Sequence, residues 1–272
     1  MHEIDLRSKN IRCDLISDLD IDLKKEKRVI DNITIEKVFI NSKKCRYLSI
    51  FFDDITDANN RKKVEKIFVE ELKNLLKENN LLNKKVLVVG LGNNLSTPDS
   101  LGPKTIDNII TTRHLFLLND VDNNYSEVSK IAPGVFASTG IETYDIVKGI
   151  IKRIKPDFIL VIDALKSKKI KNINKVIQIT DSGIDPGSGV GNQRKELSKK
   201  TLGIKVIAIG VPTVVNLHTI VKEFLNEYDI DKILDKKGND FLVTPKDIDF
   251  EIEKLSLLIS NSINKVLHNM TN

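Results

Sequence analysis

Polar and apolar positions follow two rhythms along this chain, and stretches of unbroken apolar residues lie between them. Residues 29–40 and 47–52 are rich in β-branched and aromatic side chains, with the turn-like Asn41-Ser42-Lys43-Lys44 between them, and predict a β-hairpin. From residue 62 to 78 the rhythm changes. Val64, Ile67, Phe68, Leu72, Leu75 and Leu76 recur three or four apart, which places them on one face of a helix. Apolar runs then occur at 86–89, 158–162, 176–179 and 206–209, and suit strands covered on both faces of a parallel sheet. A second helical pattern uses Ile146, Val147, Ile150, Ile151 and Ile154 and stops before Pro156. A third is predicted to begin at Thr244-Pro245-Lys246-Asp247, with a capping hydroxyl, a first-turn proline and an acidic residue three on. Its apolar face runs through Ile248, Ile252, Leu255, Ile259 and Val266. Strands alternating with helices predict an α/β fold: a three-layer α/β/α arrangement with a mostly parallel sheet, plus the N-terminal hairpin. The opening segment, where Asp18, Asp20 and Asp22 alternate with Leu19, Ile21 and Leu23, reads as a detachable arm or an edge segment.

Composition narrows the class. In 272 residues, 40% hydrophobic content is enough for a sizeable core, and 30% charged residues argue for a soluble protein. The 43 Lys+Arg against 38 Asp+Glu leave +5. Basic runs such as Lys166-Ser167-Lys168-Lys169 are short and lack interleaved aromatics, so no direct nucleic-acid partner is expected. Cys13 and Cys45 cannot build a disulfide framework and have no metal-ligand spacing around them. The first residues hold no apolar signal core, and no uncharged run is long enough to span a membrane, so a cytoplasmic location and no membrane partner are expected.

In open α/β sheets ligands bind beyond the carboxyl ends of the strands. Three segments are candidates: 90–99, ending in Asp99; Asp163, directly after an apolar run; and Asp181-Ser182-Gly183, leading to Gly187, Ser188, Gly189 and Gly191. An acid at the end of a buried strand is partly desolvated, and a second acid in the same crevice further disfavours joint ionisation. Such a pair shares one proton and can act as base toward water and acid toward a carbonyl. An isolated strand-end Asp equally often caps a helix or holds a loop. The glycine-rich loop lacks the Lys-Ser/Thr of a P-loop, so a tight turn is the better reading, with Arg194 and Lys195 either holding an acidic group or facing solvent. His2, His114, His218 and His268 show no mutual ligand spacing. His114 reads as a hydrogen-bonded, half-buried residue, and no metal is expected.

The motifs resemble the spore germination proteases. The matching segments include Val88-Val89-Gly90-Leu91-Gly92-Asn93, Thr97-Pro98-Asp99, Thr112-Arg113-His114-Leu115-Phe116 and Ile162-Asp163-Ala164-Leu165, together with the stretches 178–192, 207–215 and 243–246. The resemblance implies an atypical aspartic endopeptidase, without cofactor, that degrades small acid-soluble spore proteins in the spore core. It implies a fold similar to that of hydrogenase maturation endopeptidases, a homotetramer and an inactive zymogen. The family's catalytic aspartates fall on Asp99 and Asp163. Its autoprocessing site falls between Asp14 and Leu15 in Arg12-Cys13-Asp14-Leu15-Ile16, giving a propeptide of residues 1–14 and a peptidase domain of 15–272. Cys13 and Ile16 replace the family's Thr and Ala, Asn216-Leu217-His218 replaces Asp-Ala-Val, and the segment between Phe224 and Phe241 is shorter than usual. Two other classes compete: a metal-assisted hydrolase using Asp99, Asp163 and His114, and a non-catalytic module that binds spore proteins.

Overall fold

The apolar runs become the centre of one mixed β-sheet. The computed structural model describes residues 15–18, 25–40, 45–121, 124–187, 194–225 and 241–270. Its strands are β1 (Lys25–Ile30), β2 (Ile33–Ile40), β3 (Cys45–Phe51), β4 (Val86–Gly90), β5 (Val128–Ile131), β6 (Phe158–Ser167), β7 (Val176–Thr180), β8 (Lys205–Asn216) and β9 (Leu242–Val243). They lie in the spatial order β1-β2-β3-β7-β8-β6-β4-β5, with β9 paired to β8. The helices are α1 (Ala58–Glu78), α2 (Leu101–Asp107), α3 (Arg113–Leu118), α4 (Phe136–Thr139), α5 (Thr143–Ile154), α6 (Lys199–Leu202), α7 (Leu217–Phe224) and α8 (Ile248–Leu267).

Successive side chains of a strand point to opposite faces, and here each face has its own helical layer. Phe158, Leu160 and Ile162 of β6 join Val86 and Val88 of β4 in a core completed by α1, α2 and α8. The alternate Ile159 and Val161 join Leu87, Val89 and Val206 in a core on the other face, closed by Tyr144 and Val147 of α5 and Leu202 of α6. The fold is therefore the expected three-layer α/β arrangement. All six apolar positions expected of α1 are buried, as are the five expected of α8.

β8, β6, β4 and β5 pair in parallel. β7 does not join that set: although its apolar run has the same character, it is antiparallel to both β3 and β8. A strand covered on both faces is apolar whichever way its neighbours run, so hydrophobicity alone cannot give direction. The expected hairpin is present as β2–β3. The run 29–40 is broken at Asp31, whose φ of 53° turns the chain and creates β1 as a further strand. β1 is the outer, exposed strand. Its sequence KEKRVI carries four charged residues, which discourages pairing with another chain. Glu71 of α1 is buried beneath this end of the sheet and is paired with Arg28 at 2.9 Å and Lys37 at 2.7 Å.

The opening segment is not wholly an arm. Leu15 and Ile16 are buried, and the Ile16 N–H donates to Gln178 Oε1 at 2.7 Å. The Asp18 carboxylate is buried and accepts hydrogen bonds from Ser167 Oγ, the Lys168 N–H and Asn172 Nδ2. Charge-assisted bonds of this kind satisfy a buried carboxylate. Asp14 lies outside the described residues. Among the described residues, no helix is long and apolar enough to cross a membrane.

Candidate active site

Unequal strand lengths make a notch. β6 extends to Ser167 beside β8, whereas its other neighbour β4 ends at Gly90, opposite Ile162. Asp163 is thus the first residue of β6 past the end of β4. It is not at the end of its own strand, as the apolar run had suggested: the strand continues through Ala164-Leu165-Lys166-Ser167. Alternation sends Asp163 to the α5 face, the side of Ile159 and Val161.

The chain leaving β4 fills the notch from the other side. Leu91 stays with β6 through its N–H to the Ile162 carbonyl at 2.8 Å, and the segment then loops to a 3₁₀ turn at Thr97–Asp99 just before α2. Gly92 sits at φ 114°, and a β-carbon there would lie 2.0 Å from the Asp99 carbonyl oxygen, so only glycine permits this fold-back. The Asn93 N–H donates to Asp99 Oδ2 at 2.8 Å. Thr213 of β8 donates its hydroxyl proton to the Pro98 carbonyl at 2.7 Å and ties the turn to the sheet.

Asp99 and Asp163 line one cavity of 440 Å³. Burial pushes the Asp163 carboxyl well above the usual carboxylate range, and the charge of Asp99 pushes it further. The Ala164 N–H, which donates to Oδ1 at 3.0 Å, and Arg194 act in the opposite direction. Burial also raises Asp99, opposed by the Asn93 N–H and by Arg194. Both shifts favour a neutral acid, and they are larger for Asp163. Such a pair has the composition of an acid–base couple: one carboxyl that keeps its proton and a neighbour that gives its proton up more readily.

A family model described as germination protease matches residues 5–228. The chain belongs to the germination protease family. It is 39% identical to the germination protease of Geobacillus sp. (strain WCH70), covering 84% of this chain and 79% of that protein. It is 37% identical to that of Bacillus subtilis (strain 168), covering 89% and 83% respectively. Among solved structures, the [NiFe] hydrogenase maturation protease HycI from Thermococcus kodakarensis KOD1 overlaps 66% of this chain and 92% of that one, at 17% identity and a TM-score of 0.34. Membership of the family makes this protein a peptidase with a role in spore germination.

The other expected positions separate. Gly187 lines the cavity, while Ser188, Gly189 and Gly191 lie outside the described residues. Asp181 is structural: it accepts from the Arg46 N–H at 2.7 Å and pairs with Lys205 at 3.3 Å. His114 is exposed on α3 rather than half-buried, and it does not line the cavity. Among the described residues, no group of three His, Cys, Asp or Glu side chains is placed to hold a metal ion. Of the ambiguous basic pair, Arg194 faces the cavity while Lys195 is exposed, its Nζ 3.9 Å above the Tyr144 ring. The reading from sequence missed Thr213, Lys166 and Asp185 as cavity residues. Thr213 acts by holding a backbone carbonyl 115 residues away, and nothing local in Val211-Pro212-Thr213 signals that task.

Proposed function

We propose that this germination protease family member hydrolyses peptide bonds with Asp99 and Asp163 as an acid–base pair, acting on small acid-soluble spore proteins. The observation that carries the reading is the meeting of these two carboxyls in one cavity, where the charge on Asp99 is felt by Asp163. Asp99 has a backbone N–H at Oδ2 to stabilise its ionised form and is the base. Asp163, more deeply buried, holds the proton and is the acid.

The cycle needs one water. Asp99 takes a proton from it as its oxygen attacks the scissile carbonyl carbon, and Asp163 gives its proton to the carbonyl oxygen. The resulting gem-diol collapses as Asp99 passes its proton to the departing nitrogen, the C–N bond breaks, and Asp163 recovers a proton from one hydroxyl. Atoms and charge balance with no covalent enzyme intermediate.

Processing between Asp14 and Leu15 belongs to the same proposal, with residues 1–14 as a removable segment and 15–272 as the peptidase domain. The burial of Leu15, Ile16 and Asp18 supports a boundary no later than Leu15, because removing those residues would open a core. Assembly as a homotetramer and action in the spore core are part of the same proposal, supported by the family resemblance.

The test is cleavage of a purified small acid-soluble spore protein, followed on gels, by the wild type, Asp99→Asn and Asp163→Asn. Each variant is expected to fold and to lose about 10³-fold or more in rate, within the range for general acid–base catalysis. Digestion at the wild-type rate by either variant would refute the pair. Binding without fragments by the wild type would make the protein a carrier instead.

A further inference from the structure

Among the described residues, three carboxylates line the cavity: Asp99 in the 3₁₀ turn, Asp163 on β6, and Asp185 on the loop after β7. The cations lining it among the described residues are Lys166, also on β6, and Arg194. The lining residues from β8 and β9, together with Gly134, Val135 and Thr143, contribute no charged side chain. An acid pair that has to keep one negative charge in such a place needs a cation at a fixed position, and Arg194 is held in two ways. Its guanidinium lies against Gly187: a β-carbon on that glycine would be 3.4 Å from Nε, 3.6 Å from Cδ and 3.7 Å from Cζ. Gly187 has φ 68°, a conformation in which a side chain is disfavoured. The next residue, Lys195, is anchored over the Tyr144 ring, whose hydroxyl donates to the Thr201 carbonyl at 3.0 Å.

We propose that Arg194 is a positioning residue for the Asp99/Asp163 pair: its guanidinium, laid against Gly187 in the shared cavity, provides the fixed positive charge that lets the pair carry one negative charge and one proton. It acts through the carboxyls rather than on the reacting atoms. Arg194 favours ionisation of both acids, opposing the burial that keeps them neutral. Without it, Asp99 would retain its proton to higher pH and the base would be absent over part of the working range. A guanidinium suits the task because it stays charged at every pH of interest. The inference rests on the acid–base reading of Asp99 and Asp163.

Two readouts test it on the full chain. The first is the pH dependence of kcat and KM for wild type, Arg194→Gln and Arg194→Lys on one cleavable spore-protein peptide. Arg194→Gln is expected to move both limbs of the profile to higher pH by about one unit. This would lower kcat roughly tenfold on the acid limb with KM within about twofold, and Arg194→Lys is expected to restore most of the shift. A uniform loss with unmoved limbs, or a change confined to KM, would overturn the proposal and make Arg194 a substrate contact or a structural residue. The second readout needs no activity: carboxyl titration of Asp99 and Asp163 by ¹³C NMR, assigned with the two Asn variants. Higher titration points in folded Arg194→Gln support the inference; should the Asn variants prove active, the acid–base reading falls and takes the catalytic role of Arg194 with it, whatever the titration shows. Unchanged titration refutes it even if that reading stands. Should Arg194→Gln not fold, Arg194→Met removes the same charge while keeping the aliphatic stem, and the same upward shift is expected; unmoved titration there overturns the proposal.

Discussion

The two acids of the cavity are held by opposite kinds of structure. Asp163 stands within a ten-residue strand paired to β8 along its length, is buried, and accepts a hydrogen bond from the adjacent Ala164 N–H. Asp99 ends a three-residue turn, is half-buried, and is fixed by a backbone N–H, a glycine fold-back and a threonine tether on the neighbouring peptide. One position is rigid because the sheet is rigid, while the other depends on a few named contacts. The same contrast divides their chemistry. The strand supplies dryness, which keeps a proton on Asp163, and the turn supplies a hydrogen-bond donor, which stabilises charge on Asp99.

Breaking the weaker support should give the largest effect on the comparison. Gly92→Ala would drive a β-carbon into the Asp99 carbonyl at a φ that alanine resists. It is expected to cost about 2–3 kcal/mol of stability and about 10²-fold in kcat through displacement of Asp99. Urea unfolding and steady-state assays check both, and wild-type kinetics in a folded variant would show that the turn is not needed for catalysis.

The second test separates the acids by stability. The Asp163 carboxyl is raised above its unfolded value, so its favourable contribution is full below about pH 3.8 and is lost as pH rises through the folded value. Asp163→Asn keeps the shape and removes the ionisable group. Its Tm relative to wild type is therefore expected to increase between pH 4 and pH 7. Asp99→Asn should show the same sign with a smaller change, because Asp99 is less buried and its ionised form has a donor. Calorimetric scans across that pH range decide it, and a larger change for Asp99→Asn would reverse the assignment of base and acid.

The smallest effect is expected from Thr213→Val, which removes the hydroxyl bonded to the Pro98 carbonyl. A loss of about 1 kcal/mol is expected, with a severalfold fall in kcat and little change in KM. Equal losses in Thr213→Val and Thr213→Ser would show that packing, rather than the hydroxyl, holds the turn.

Much of this is legible in the amino-acid sequence. The spacing of Val64, Ile67, Phe68, Leu72, Leu75 and Leu76 gave the buried face of α1 because helical periodicity is local. The start of α8 was misread for a tertiary reason. Thr244 was expected to cap the helix, but its hydroxyl donates to the Thr213 carbonyl at 3.0 Å, and the helix begins at Ile248. Burial of Ile16 and Asp18 was also hidden, since the groups that receive them, Gln178, Ser167, Lys168 and Asn172, lie about 150 residues away. Asp181 opened the third candidate segment in the sequence, yet Arg46 and Lys205 make it structural.

The sequence by itself determined the three longest helices, the apolar strands and the short list of acids beside them, because each depends on neighbours a few residues apart. It also carried the family resemblance that the comparisons bear out. Only the tertiary structure decided which strands run parallel, that β4 stops short of β6 to leave Asp163 facing a notch, and that Asp99 and Arg194 share the cavity there. Those are relations between segments far apart in the chain, and burial and charge act through space without regard to sequence separation.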